Sequence, residues 1–254
     1  MRVLQKAAGL LDALADAGEL TAAELARRAD EPRSTVYRLL ATLEALEFVE
    51  PGAERGSYRL GLKLFRLGSS VSARFDERQA ALAVMERIHE QTGETVFLCV
   101  RRGAEAVCIE RFDGHRVQSL ALRLGGSLPL HAGAAPRVLL AFEPRAIWEW
   151  YATESGLASL VPGRTISPEL LFAELEEVRR SGVAVSDEDV TPGIGAIGAP
   201  IFDQSGSIRA ALSISGLREA ILGSDAAQVR ALIVDGGHEI SAALGYLAPV
   251  RAHV

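Results

Sequence analysis

A two-part chain is predicted: a helical head that ends in a β-hairpin, then a larger domain of mixed strands and helices. Three observations carry this. Apolar residues recur at spacings of three and four through the first 46 positions, with two short breaks. A strand–turn–strand pattern follows at 48–60. Beyond residue 76, helical and strand periodicities are mixed, which fits an α/β or an α+β domain. The 254-residue length agrees, since about 100–200 residues make one domain.

The elements follow in order. Val3, Ala7, Leu10, Leu11 and Leu14 form one helical stripe, closed by Gly18. Thr21-Ala22-Ala23-Glu24 fits a capping box, in which the Thr hydroxyl and the Glu carboxylate satisfy each other's backbone amides. A short helix runs from there through Ala29, and Asp30-Glu31-Pro32-Arg33 breaks it. Val36, Leu39, Leu40, Leu43 and Leu46 predict a third helix, with Ser34 and Thr35 as caps. Helix, short helix, tight break, helix is a helix-turn-helix layout. Phe48-Val49-Glu50 and Ser57-Tyr58-Arg59-Leu60 flank a turn-rich loop, which predicts a wing. Leu64, Leu67 and Val71 suggest a connecting helix, so the expected parts are 1–61, a linker helix at 62–75, and 76–254.

In the second part, Leu82, Met85, Ile88 and His89 share a helical stripe ending near Gly93. Residues 95–100, 106–111 and 116–122 read as strands, and 134–142 and 147–155 as helices. Leu170 to Ser181 is amphipathic; 183–185, 196–202 and 208–215 return to strand; 226–247 closes as a helix.

Composition excludes several classes. With 48% hydrophobic and 24% charged residues, the chain is neither disordered nor collagen-like. No apolar run reaches the ~20 residues of a membrane helix. The start, Met1 to Lys6, continues into a helix broken by Asp12 and Asp16, so no signal peptide is expected. Cys99 and Cys108 cannot build a disulfide framework or a four-cysteine zinc site, and a reducing cytoplasm is the expected setting.

The net charge of −6 hides an uneven distribution. Residues 1–75 hold eleven Lys/Arg and ten Asp/Glu, so the deficit lies almost wholly beyond them. Arg27, Arg28, Arg33 and Arg38 fall within twelve residues, and Arg55, Arg59, Lys63 and Arg66 form a second group. Such clusters serve either as a phosphate-binding face or as a solvated helix surface. The third helix favours the first reading. Its opening turn shows Arg33, Ser34, Thr35, Tyr37 and Arg38, types that contact phosphates and base edges. No acid occurs from Pro32 to Thr42.

A separate set of residues suits a small molecule. Leu128 to Ala135 reads as a strand end running into a helix start, whose unpaired amides suit an anion. Ser213 and Ser215 lie two apart on one strand face, and Leu120, Ile194 and Ala196 are candidate apolar walls. The alternative is that small residues at these places only let sheet and helix approach closely. Gly193-Ile194-Gly195-Ala196-Ile197-Gly198 matches G-x-G-x-x-G, but Pro200 and Ile201 follow where a dinucleotide site needs a helix. The five histidines show no zinc spacing, and no metal or other cofactor is expected.

The chain resembles the IclR family of bacterial transcription regulators. The resemblance rests on Thr21-Ala22-Ala23-Glu24-Leu25-Ala26, the run Ser34 to Leu43, Tyr58-Arg59-Leu60-Gly61, and Leu67-Gly68. It continues through Leu128-Pro129-Leu130-His131-Ala132, Gly182 to Asp189, Ala199 to Asp203, and Ala210 to Gly216. It covers nearly the whole chain. It implies an α+β architecture: a winged helix-turn-helix, a linker helix, and a GAF-like effector-binding domain with a curved antiparallel sheet flanked by helices. It implies a regulator, not an enzyme, whose partners are double-stranded operator DNA, a small-molecule effector such as a small organic acid or related metabolite, and further copies in a homodimer or dimer of dimers, with no membrane.

The DNA-binding residues expected are Arg27, Arg28, Arg33, Ser34, Thr35, Tyr37, Arg38 and Arg55. The effector set is Leu120, His131, Ala134, Ala135, Ser186, Asp187, Ile194, Ala196, Ser213 and Ser215. The chain departs from the family pattern in two places. Pro136-Arg137 stands where Gly-Lys is common, and Ser186 where an acid is found. Two further readings remain: an enzyme using Asp187 and His131, and a ligand-binding module that docks protein through its helical head.

Overall fold

The computed structural model describes residues 2–72, 76–117, 121–163 and 166–247. The chain divides into two compact units, Met1–Arg74 and Phe75–Val254.

The first unit opens with α1 (Arg2–Ala17), β1 (Glu19–Thr21), α2 (Ala22–Arg28) and α3 (Arg33–Ala45). Then come β2 (Val49–Pro51), β3 (Ser57–Leu60) and α4 (Leu62–Ser72). Leu10, Leu14, Leu25, Val36, Leu40 and Val49 form its buried core, drawn from every helical stripe of the first 46 residues and from β2. The capping box forms: the Thr21 hydroxyl accepts the Glu24 amide, and Glu24 Oε2 accepts the Thr21 amide at 2.8 Å. The helix α3 departs from expectation at its start. It begins at Arg33, with Pro32 at the N-cap and no side-chain cap, so Ser34 and Thr35 lie inside its first turn. Pro32 fixes the entry in their place through its rigid φ of −57°. The wing is three-stranded, because β1 adds to β3 opposite β2, all antiparallel.

The second unit contains α5 (Asp76–Thr92), β4 (Thr95–Arg102), β5 (Glu105–Phe112), β6 (Ser127–Pro129) and α6 (Ala134–Ala141). It continues with α7 (Arg145–Glu154), α8 (Pro168–Ser181), β7 (Ala184–Asp187) and β8 (Ile194–Phe202). It ends with β9 (Ile208–Leu217), α9 (Arg218–Leu222) and α10 (Ala226–Ala243). One six-stranded sheet, β6-β5-β4-β9-β8-β7, is antiparallel throughout, which makes the domain α+β. Strand alternation sends Val96, Leu98 and Val100 to a core with α5 and α10, and Phe97 and Cys99 to a second core with α6, α7 and α8. Helices therefore cover both faces.

The expected strand at 116–122 is not found among its described residues. Residues 118–120 lie outside the described residues, and the flanking described residues are irregular. The strand beside β5 is β6, led in by Gly125 and Gly126, whose backbone groups pair with Cys108. The sheet's edge strands are short: β6 closes on Pro129, and one carbonyl of β7, that of Val185, accepts a hydrogen bond from Arg137 at 2.6 Å.

Candidate nucleic-acid interface and ligand cavity

The two arginine groups differ in what holds them. Arg27 and Arg28 end α2, Arg33 and Arg38 lie on the exposed side of α3, and Arg55 sits at the wing tip. All five are exposed, and none is paired with a carboxylate among the described residues. Ser34 and Tyr37 are exposed on α3, and Thr35 is half-buried. In contrast, Arg59 is paired with Glu50 at 2.8 Å, and Lys63 donates to the Leu46 carbonyl and lies over the Phe48 ring. Of the nearby acids, Glu31 is bonded to Lys6 at 2.7 Å and Glu19 to the Glu54 amide, Glu24 caps α2 within reach of the charges of Arg27 and Arg28, and Asp30 is exposed. The Glu54 amide, with the Ser57 hydroxyl, holds the Glu19 carboxyl below its ordinary range. From Arg33 to Thr42 the exposed side of α3 thus combines cations with hydroxyl donors and no acid; Glu44 lies in its last turn.

In the second unit, a cavity of about 460 Å³, counted to its open mouth, lies between the sheet and the start of α6. Its floor is Phe97 of β4, Ala196 of β8 and Ser213 and Ser215 of β9; Leu122, Leu128 and Ile194 add apolar wall. Ser186 closes one side with Val190 and Thr191 of the β7–β8 connection. Gly133, at φ 90°, turns the chain into α6 so that Ala134 and Ala135 face the space. The close approach of α6 to the sheet depends on Gly198: a Cβ there would lie 3.1 Å from Ala134 C and Ala135 N. Ser213 and Ser215 are buried, and neither hydroxyl bonds to another described residue. Apolar walls with a few converging polar groups are the usual make-up of a small-molecule site.

Of the expected effector residues, Ala134, Ala135, Ser186, Ile194, Ala196, Ser213 and Ser215 line this cavity. Leu120 lies outside the described residues. Asp187 is elsewhere, in a bidentate pair with Arg218 at 2.6 and 2.9 Å. His131 is buried and does not line the cavity; its ring is fully used. Its Nε2–H donates to the Ala158 carbonyl at 2.9 Å, which leaves Nδ1 to accept from the Tyr151 hydroxyl at 2.7 Å. Burial, with the Arg137 charge nearby, holds its pKa below the ordinary 6.5. The ring therefore stays neutral in the folded state but takes up a proton in the unfolded one. This contribution to stability is complete above about pH 6.5 and is lost as pH falls. Urea unfolding midpoints should drop between about pH 7 and 5.5, and His131→Gln should flatten that slope.

Several residues were missed. Phe97, Leu122, Leu128, Val190 and Thr191 line the cavity, and Arg137 and Asp189 brace it. Of the consecutive acids Asp187, Glu188 and Asp189, the last is held inside the fold. Asp189 accepts the Gly133 amide at 3.0 Å and pairs with Arg137 at 3.1 Å. Only Phe97 had a usable signal, since the alternation of β4 puts it on the face of Cys99. The glycine motif continues as β8 and opens no helix, so it lacks the phosphate-binding turn. Among the described residues, no cluster of His, Cys, Asp or Glu has metal-binding geometry, and no helix is long and apolar enough to cross a membrane.

Comparison with known proteins supplies the context. Residues 3–52 match the IclR helix-turn-helix domain, and residues 70–242 match the family described as bacterial transcriptional regulator IclR C-terminal. The transcriptional regulator KipR of Bacillus subtilis is 31% identical over 96% of this chain and 98% of its own. The repressor AllR of Escherichia coli K12 is 32% identical over 91% of this chain and 85% of its own. The crystal structure of Thermotoga maritima IclR superposes with a TM-score of 0.79 at 32% identity, covering 97% of this chain and 100% of that one. An IclR homologue from Microbacterium hydrocarbonoxydans, complexed with 4-hydroxybenzoate, gives a TM-score of 0.81 at 27% identity, with 96% of this chain and 99% of that one covered. Exposed cations on a helix-turn-helix in one unit, a cavity with apolar walls and a few polar groups in the other, and matches along nearly the full length converge: the chain belongs to the IclR family of helix-turn-helix transcriptional regulators, with an effector-binding C-terminal domain.

Proposed function

We propose that α3 is the recognition helix, placed in the major groove with Arg33, Ser34, Thr35, Tyr37 and Arg38 against the DNA. Arg27, Arg28 and Arg55 hold the flanking phosphates. The observation that carries this is the set of five exposed arginines without carboxylate partners, beside a second basic group in which Arg59 is paired and Lys63 is tied to a carbonyl. The active species is a homodimer or dimer of dimers in the cytoplasm, reading half-sites about one helical turn apart or a multiple of it. The helix α4 links the two units. The cavity beside α6 binds a small organic effector and the protein performs no catalysis, since the His131 ring is consumed by Tyr151 and Ala158 and Asp187 by Arg218. The 4-hydroxybenzoate held by the Microbacterium homologue supports a ligand of that size class.

The experiment is a salt titration of binding to duplexes enriched by selection from a random library. Affinity should fall steeply with salt, with a log–log slope of about −0.9 for each phosphate neutralised. A salt-independent affinity would favour the protein-docking reading.

A further inference from the structure

One buried carboxyl of the second unit takes no part in either site described above. Glu94 stands between α5 and β4, and its side chain is 5% exposed. It lies against β9 where that strand carries no side chain: a Cβ at Gly216 would overlap Glu94 Oε2. Oε2 has no hydrogen-bond partner. The charge that offsets the carboxylate is the Arg116 guanidinium, 3.8 Å from Oε1 and 67% exposed. A buried carboxylate is held only by close, well-bonded partners, and a hydrated cation at that distance falls short. Burial pushes the Glu94 pKa up from the ordinary 4.5, and Arg116 offsets this only in part.

The chain closes over this carboxyl. The Gly114 amide donates to Thr95 Oγ1 at 3.0 Å, and that hydroxyl donates to the Val117 carbonyl at 3.2 Å. The His115 amide donates to the Gly93 carbonyl at 2.9 Å. Residues 113–117 are thus fastened to Gly93 and Thr95, on either side of Glu94. Gly114 permits the approach, since a Cβ there would lie 2.7 Å from the Thr95 amide nitrogen. The same stretch of chain runs on to Ala121 and Leu122 in the cavity wall. The other titratable groups at the junction come from α5 and from the segment. His89 Nδ1 meets the Glu94 carbonyl at 3.0 Å, its ring lies 5.1 Å from that of His115, and Glu90 is exposed. Asp113 is paired with Arg111 at 2.6 Å. From β9 comes Gly216, and Arg218 beyond its end is bound to Asp187.

We propose that Glu94 is a proton-operated latch: while neutral it lets residues 113–117 close on the α5–β4 junction, and when it ionises the segment loosens so that water reaches the carboxylate. The bearing of this on an effector, through the wall at Ala121 and Leu122, rests on the reading of the cavity as the effector site. A carboxyl whose pKa is raised in the closed form gives up its proton more readily in the open one. The closed form is therefore fully favoured below the ordinary 4.5 and is lost as pH rises through the raised value. The response is local and opposite in sign to that of His131.

The test is amide hydrogen exchange of the full-length chain, expressed as protection factors, from about pH 4.5 to about pH 7.5. It uses no ligand, so it decides the latch whether or not the cavity is the effector site. In the wild type, protection of the Gly114 and His115 amides should fall by up to about tenfold per pH unit and then level off. Glu94→Gln keeps the shape and cannot ionise, so its protection should stay constant across the range. Arg116→Ala, at an exposed side chain, should carry the fall to higher pH, and it decides the matter if Glu94→Gln does not fold. His89→Gln and His115→Gln should keep the wild-type profile. Protection that is constant in the wild type overturns the latch. So does a fall that persists in Glu94→Gln, one that is unchanged in Arg116→Ala, or one that disappears in either folded histidine variant.

Discussion

Replacing both Arg33 and Arg38 by alanine is expected to weaken operator binding by about 30-fold or more and leave the fold unchanged. A bidentate arginine–base contact is worth about 1–3 kcal/mol, and every 1.4 kcal/mol is tenfold, so two such contacts reach this range at the lower part of their span. Neither side chain belongs to the core: both are exposed, and the buried positions of α3 are Val36, Leu39, Leu40 and Leu43. The unfolding midpoint should therefore stay put while affinity collapses. The pattern of the loss identifies the contact. If both arginines read bases, the penalty is largest on the preferred sequence and small on random DNA. If they hold phosphates, the loss is uniform and the salt slope shrinks by about 0.9 for each contact removed. Fluorescence anisotropy at several salt concentrations separates the two. Unchanged affinity in the double variant would remove α3 from the interface.

Arg137→Ala should be the most damaging single substitution around the cavity, costing about 3 kcal/mol or more of the second unit's stability. The guanidinium is 9% exposed and joins three elements: α6, the β7 carbonyl of Val185, and Asp189 in the connection to β8. Its bond to Glu174 matters less, since that carboxylate is 56% exposed and water replaces the partner. Asp189 has no such recourse. Without Arg137 its charge stays desolvated, and breaking a buried pair from one side is costly for that reason. The double variant Arg137→Ala/Asp189→Asn should recover part of the loss, because it removes the stranded charge as well. Both tryptophans, Trp148 and Trp150, lie on α7, so urea unfolding followed by tryptophan fluorescence reports on this unit. A loss below about 1 kcal/mol would mean that water already reaches Asp189.

The parts legible in the sequence were those with local causes. The capping box at Thr21 and Glu24 is written in four adjacent residues, and the core of the first unit follows from the three-and-four spacing of its leucines. Seven of the expected effector residues meet in one cavity because strand parity and the start of α6 are local features too. The strand β1 escaped because three residues carry no periodicity, and only their pairing with Ser57 to Arg59 makes them a strand. The role of Asp189 escaped for a related reason. Its bond to Gly133 joins residues 56 apart, and the sheet, not the local sequence, brings them together. Asp187, two residues away, has a similar local sequence and a different fate, set by Arg218 beyond the end of β9.

The two outer strands of the large sheet bear on how copies of this chain can meet. A free sheet edge is a template for another strand, and proteins blunt it by shortness, by proline or by covering. Here β6 is three residues long and ends at Pro129, and β7 is four residues long with the Val185 carbonyl already occupied by Arg137. Neither edge offers a continuous ladder for backbone pairing. Self-association through this unit is therefore left to side-chain surfaces on its helices and loops, where composition can tune its strength, and runaway strand-to-strand polymerisation is closed off at both ends of the sheet.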